Sequence, residues 1–353
     1  MRRVVVTGIG AISALGRDRH AFWDALSHGR SGIRPMQLVD RTQLRFQNGA
    51  EVPDYNPAEF FDEKDIGLLD RFAQFGVIAA REAVKDADIE WTAELRERSA
   101  IVTGSCVGGQ STEDEGFVGL YKNGTNRVNP FTIPRTMGNA AASRISLEYG
   151  VVGPTYTVST ACSSANHAIG QAMWMIRSGG ADLAITGGSE AVFSLGFLKA
   201  WEAMRVVSPD TCRPFSKDRR GLILGEGAGM LVLEHLEAAH TRQHHVEQDH
   251  ADGSRGIGVA VQNAERLRAV ARLDDLVPLV AQHVGEQLTH GRLVFHDEHS
   301  VASGHDARSP AVARWADGIA APGGRGSAWL RRRAGAPARH ADASSTLRKT
   351  CCK

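Results

Sequence analysis

Apolar, β-branched runs that end in glycine recur along the first two thirds of the chain. Residues 4–8 (VVVTG), 101–104 (IVTG) and 183–188 (LAITGG) are such runs, and residues 230–234 (MLVLE) follow a glycine-rich entry. Short continuous apolar segments of this kind read as buried strands. Between them the apolar positions switch to helical spacing. In residues 72–87, Phe72, Phe75, Val77, Ile78, Ala79, Ala83 and Val84 leave the charges on another face. In residues 164–177, Ala165, Ala168, Ile169, Ala172, Met173 and Ile176 keep the same period. Strands alternating with helices predict an α/β fold with buried strands.

The pattern changes near residue 240. Residues 241–256 (TRQHHVEQDHADGSRG) hold almost no apolar side chain. From residue 241 to the end, 14 arginines stand against two lysines, and nine of the 14 histidines fall there. Residues 318–353 are rich in Ala, Gly and Arg with no helical or strand period. Residues 267–288 fit an amphipathic helix and residues 292–295 a short strand. One reading is a poorly ordered basic tail or linker. The other is a segment foreign to the first, as a frameshift or a fusion of unrelated coding sequence produces, and the abruptness of the change favours it. Both readings divide the chain into 1–240 and 241–353.

Composition narrows the partners. The 353 residues are 42% hydrophobic and 23% charged, with 41 Lys plus Arg against 40 Asp plus Glu. Nothing in that balance argues for nucleic acid or an anionic membrane. No apolar run reaches the roughly 18 residues of a membrane span. The opening arginines and apolar run imitate a secretion signal, but Gly8, Gly10 and Ser13 interrupt it. A cytoplasmic protein is expected. The five cysteines (106, 162, 212, 351 and 352) form neither a zinc-type pattern nor a disulfide framework.

The chemistry centres on residues 153–167 (GPTYTVSTACSSANH). A strand-like run meets a turn of small residues and then a helix, and Cys162 falls at the join. Unpaired backbone N–H groups and the positive end of a helix dipole favour negative charge on sulfur there. They also suit an oxyanion, and the small neighbours leave room for a carbonyl. The competing reading is an inert, buried thiol. His167 lies roughly 140° round the helix from Cys162 and reads as a packed helix residue. Two glycine-rich stretches suggest nucleotide binding weakly. Residues 7–13 (TGIGAIS) replace the third glycine of a dinucleotide fingerprint with Ser13 and lack the acid about 20 residues on. Residues 224–229 (LGEGAG) run into a strand.

Several motifs together resemble the β-ketoacyl-acyl carrier protein synthases, condensing enzymes of the thiolase-like superfamily. The opening RRVVVTGIGAISALG, GSCVGG at 104–109, NPF at 129–131, GP at 153–154, TACSS around Cys162 and GGSE at 187–190 all look like family motifs. The most specific block is CRPFSKDR at 212–219 followed by GEGAG at 225–229, matched in order and spacing. The likeness covers residues 1 to about 240, the amino-terminal half of such an enzyme. Residues 198–216 are most like the elongating type, nodulation-type synthases included.

The resemblance implies a layered α-β-α-β-α sandwich and a ping-pong decarboxylative Claisen condensation. Cys162 becomes the acyl-accepting nucleophile, and the acyl groups arrive on the phosphopantetheine of acyl carrier protein. It implies a homodimer and no metal or dissociable redox cofactor. Val107 and Trp201 match positions lining the acyl pocket. Lys64 and Arg71 lie where the family meets its carrier protein, although Gly67, Leu68 and Leu69 interrupt that patch, so solvated surface charge competes as a reading. The family's two catalytic histidines, in HGTxT and GHxxGA motifs, are not found. His290-Gly291 and Gly304-His305 are partial matches at the wrong spacing. The chain is therefore expected to be impaired in condensation and to fold poorly without a homologous second half. A non-catalytic interaction subunit and a truncated or frameshifted product are the alternatives.

Overall fold

The computed structural model describes residues 2–237 and residue 239. The predicted poorly ordered tail, the helix at 267–288 and the strand at 292–295 lie outside the described residues.

Five strands form the central sheet: β1 (Val4–Ser13), β2 (Ser99–Gly104), β3 (Thr155–Val158), β4 (Leu183–Glu190) and β5 (Gly227–His235), in the order β1-β5-β4-β2-β3. β3, β2 and β4 run parallel, while β5 is antiparallel to both β4 and β1. All six residues of β2 are buried, as a strand covered on both faces requires. Alternation divides its side chains. Ile101 faces one core, with Leu183, Ile185 and Val232, and Ala100 and Val102 face another, with Ala184 and Leu233.

Each core is closed by a helix. The first is covered by α1 (Arg71–Ala87), through Phe72, Phe75, Ala79 and Ala83, with α3 (Ala140–Tyr149) beside it. The second is covered by α4 (Ser164–Arg177), through Ala168, Ala172 and Ile176. The described residues thus make three layers, helix on sheet on helix. Between β2 and β3 the chain also forms α2 (Gln110–Phe117), and after β4 it forms α5 (Leu195–Met204). No helix among the described residues is long and apolar enough to cross a membrane.

The strand of the opening motif is longer than its apolar run. β1 continues through Gly8 and Gly10 to Ser13, with a register shift between Val6 and Gly8. The glycines serve close packing, not phosphate binding. A Cβ on Gly8 would lie 2.0 Å from the Ala83 carbonyl oxygen, and one on Gly10 would lie 1.9 Å from that of Ala79. Two carboxylates of α1 reach back towards β1. Glu82 accepts from the Ala11 and Arg19 backbone N–H groups at 2.9 Å, and Asp86 accepts from that of Ile9 at 3.1 Å. The Ile9 and Ala11 donors lie on β1, the edge strand of the described sheet, and their bonds satisfy that edge.

Candidate active site

Parallel strands β2, β3 and β4 deliver their carboxyl ends to one place. Beyond β3 the chain turns through Thr160 and Ala161 to Cys162, two residues before α4 begins. Ser164, itself buried, ties this turn: its Oγ donates to the Ala161 carbonyl at 2.6 Å and accepts from the Thr160 N–H at 2.9 Å. Ala161 adopts the left-handed conformation (φ 53°), uncommon for a residue with a side chain and held here by that lock. Gly104, the last residue of β2, lets the start of α4 settle on the strand ends. A Cβ there would meet the Ser164 carbonyl carbon at 2.4 Å and the Ala165 nitrogen at 2.5 Å.

Cys162 is exposed and lines a cavity of about 590 Å³. Its walls come from residues 104–110 after β2, 161–165 before and within α4, 188–192 at the end of β4, α5, and 227–229 at the start of β5. Val107 and Trp201 both line it, as do Phe197 and Met204. Trp201 is also packed against a third core of Met36, Phe46, Phe193 and Leu198, which anchors the indole from behind.

Two residues of this cavity were quoted within motifs but given no role by sequence reasoning. Glu190 ends β4, and its carboxylate accepts from the Cys106 N–H at 2.6 Å, Gln110 Nε2 at 3.3 Å and Ser105 Oγ at 3.4 Å. It clamps the segment that carries Val107. Burial pushes its pKa up against the pull of these donors. Cys106 lines the same cavity, and burial, then the Glu190 carboxylate, then Cys162 push its thiol up.

The other expected positions divide. Lys64 is exposed on the short helix Glu63–Leu68. Arg71 is not a solvated surface charge. Its guanidinium makes a bidentate pair with Glu226, at 2.8 and 2.6 Å, and lies over the rings of Tyr55 and Phe75 at 4.7 and 4.9 Å. Its side chain is 19% exposed and that of Glu226 0%. Burial of an arginine demands such a partner, and spacing alone does not reveal one 155 residues away. His167 is exposed on α4, not packed, and does not line the cavity. Among the described residues no group of three or more His, Cys, Asp or Glu side chains is placed to hold a metal ion.

A family model described as "Beta-ketoacyl synthase, N-terminal domain" matches residues 1–239. Nodulation protein E of Rhizobium sp. (strain N33) is 44% identical over 243 residues, 68% of this chain and 60% of that protein. The 3-oxoacyl-[acyl-carrier-protein] synthase 2 of Staphylococcus aureus (strain COL) is 35% identical over 246 residues, 68% of this chain and 59% of that protein. Among solved structures, the ishigamide ketosynthase/chain length factor superposes with a TM-score of 0.64 at 34% identity, covering 68% of this chain and 60% of that one. The chain spans about 60% of the length of the curated relatives it matches. Fold, motifs and relatives agree: this chain belongs to the β-ketoacyl synthase family and carries its amino-terminal domain.

Proposed function

We propose that residues 1–240 form the acyl-accepting half of a 3-oxoacyl-acyl carrier protein synthase, with Cys162 as nucleophile. The observation that carries this reading is the position of Cys162, on a locked turn before α4 and opening into a cavity lined by Val107, Phe197, Trp201 and Met204. The Cys162 sulfur attacks the thioester carbonyl of an acyl-carrier protein. A carbon–sulfur bond forms to Cys162, the bond to phosphopantetheine breaks, and the carrier's thiol leaves with the proton. Val107 and Trp201 bound the space that the acyl chain enters, and backbone N–H groups at the start of α4 stabilise the oxyanion.

In the complete reaction, malonyl-carrier protein loses carbon dioxide and its carbanion attacks the Cys162 thioester, giving a 3-oxoacyl chain two carbons longer. That step draws on the two histidines of the family's second half, whose motifs are not found in this sequence. We therefore assign this chain acyl transfer without condensation. Exposed Lys64 remains the carrier contact on this surface, whereas Arg71 acts through the fold. A homodimer and a cytoplasmic setting follow from the family reading.

Intact-mass spectrometry of the full chain with acyl-carrier protein, beside release of labelled carbon dioxide from malonyl-carrier protein, tests this assignment. The expected result is one acyl group on Cys162, none on Cys162→Ala, and no decarboxylation. Turnover of malonyl-carrier protein, or acylation that survives in Cys162→Ala, refutes it.

A second reading concerns residues 241–353. The family match ends at residue 239, where the composition changes, which supports a segment out of frame with the first. Translating the other frames of the coding DNA beyond codon 240 decides it. HGTxT and GHxxGA appearing there support that reading, and their absence supports a native tail or a non-catalytic interaction subunit.

A further inference from the structure

We propose that Cys106 and Cys162 form a dithiol site that hydroperoxides convert to a disulfide, reversibly blocking the acyl-accepting sulfur. The placement follows from the sheet. β2 and β3 are adjacent and parallel, with Gly104 level with Val158, so the chain leaves both strands on the same edge. Cys106 lies two residues beyond the first and Cys162 four beyond the second. Both cysteines lie beyond the paired residues, so the sheet sets their common edge and the contacts past it set how closely they approach.

Three hydrogen bonds hold the backbone of Ser105 and Cys106 against the ends of β3 and β4. Ser105 N–H donates to the Val158 carbonyl at 3.3 Å, Ser159 Oγ donates to the Cys106 carbonyl at 3.0 Å, and the Cys106 N–H donates to Glu190 at 2.6 Å. Both thiols are exposed and line the one cavity, whereas Cys212, also exposed, does not line it. The upward push on the Cys106 thiol, to which Cys162 itself contributes, is consistent with this closeness. It gives Cys106 the part of the resolving thiol, and closure is expected to quicken as pH rises.

The chemistry balances with a hydroperoxide as oxidant. The Cys162 sulfur attacks the hydroperoxide: a sulfur–oxygen bond forms, the oxygen–oxygen bond breaks, and an alcohol, or water from hydrogen peroxide, leaves with the thiol proton. Cys162 is then a sulfenic acid, oxidised by two electrons. The Cys106 sulfur attacks it, the sulfur–sulfur bond forms, the sulfur–oxygen bond breaks, and water carries off the Cys106 proton. Disulfide capture spares Cys162 the irreversible sulfinic and sulfonic states. This chemistry stands whether or not Cys162 is acylated by a carrier protein.

The test treats the full chain with hydrogen peroxide, blocks free thiols, and maps peptides by mass spectrometry without reduction. The expected product joins the Cys106 and Cys162 peptides with the loss of two hydrogens. Dithiothreitol should then restore iodoacetamide labelling of Cys162. In Cys106→Ser the linked peptide is lost, Cys162 passes to sulfinic and sulfonic acids, and reduction recovers no labelling. The proposal is overturned if wild type and Cys106→Ser lose recoverable labelling at the same rate, or if Cys162 is found joined to Cys212, Cys351 or Cys352 instead. The linked peptide in the unaltered chain decides the matter independently of how the serine variant folds.

Discussion

Arg71→Met separates a structural arginine from a docking one. The side chain that remains keeps much of the apolar stem but leaves the Glu226 carboxylate fully buried, with the Val52 N–H, at 2.9 Å, as its remaining hydrogen-bond donor. Removing one member of a buried ion pair costs about 3–5 kcal/mol, because the other charge is left uncompensated. Loss of the stacking over Tyr55 and Phe75 adds about 0.5–1 kcal/mol per ring. Against a typical total of about 5–15 kcal/mol, this is a severe destabilisation. Glu226 immediately precedes β5, whose first residues line the cavity, so cavity order should fall with stability. Urea unfolding followed by tryptophan fluorescence measures the change. The double variant Arg71→Met/Glu226→Gln should recover part of the loss, since a neutral amide is less costly to bury than a lone carboxylate and still accepts from Val52. A change within about 0.5 kcal/mol, together with loss of carrier-protein binding by the folded variant, would refute the structural reading and restore Arg71 to the docking surface.

Gly104→Ala forces a methyl group into the backbone at the start of α4. A destabilisation of about 1–3 kcal/mol is expected, and iodoacetamide labelling of Cys162 should change because the turn that presents it must move. Trp201→Ala opens one wall of the cavity; the ratio of long-chain to short-chain acylation of Cys162, read by intact mass, should rise, and an unchanged ratio removes Trp201 from the acyl path. Glu190→Gln probes the clamp by pH. Because the folded-state pKa of Glu190 is raised above 4.5, its contribution to stability is full below that value and is lost as pH rises through the raised one. The urea midpoint of Glu190→Gln should therefore gain on wild type as pH climbs from 4.5 towards neutrality, and a difference that does not vary with pH contradicts the buried-carboxylate account.

Periodicity located the elements well where one side of a segment faces a core. Helix α4 begins and ends where its apolar spacing predicts, at Ser164 and Arg177, and α1 differs from its predicted span by one residue. The strands were found but cut short. β1 runs five residues beyond Gly8, because glycines that admit a helix at close range interrupt an apolar pattern without interrupting the strand. The position of Cys162 at the join of strand and helix was legible because its signal is local, a small-residue turn. Glu190 and Arg71 were not, because their partners come from distant strands. The Glu190 clamp joins the ends of β4 and β2, 84 residues apart, and the Arg71 pair joins α1 to the entry of β5. Charge alone marks such residues as surface. Only the register of the sheet shows that their counterparts are waiting inside.

That register also bears on the task proposed for the amino-terminal domain of a condensing enzyme. The cavity walls come from 104–110, 161–165, 188–204 and 227–229, all within the family match to residues 1–239. The proposed acyl acceptance needs a nucleophile, oxyanion donors and space for the chain, and Cys162, the start of α4 and the cavity lie together at the carboxyl ends of β2, β3 and β4. Decarboxylation needs groups that stabilise a carbanion, and the family supplies them from beyond this segment. On the proposed function, the two partial reactions fall on opposite sides of a boundary near residue 240. An added polypeptide carrying the second-half motifs should raise decarboxylation without altering which residue is acylated. If it raised acylation of Cys162 from nothing, the first half would not form the cavity unaided, and the separation of tasks would fail.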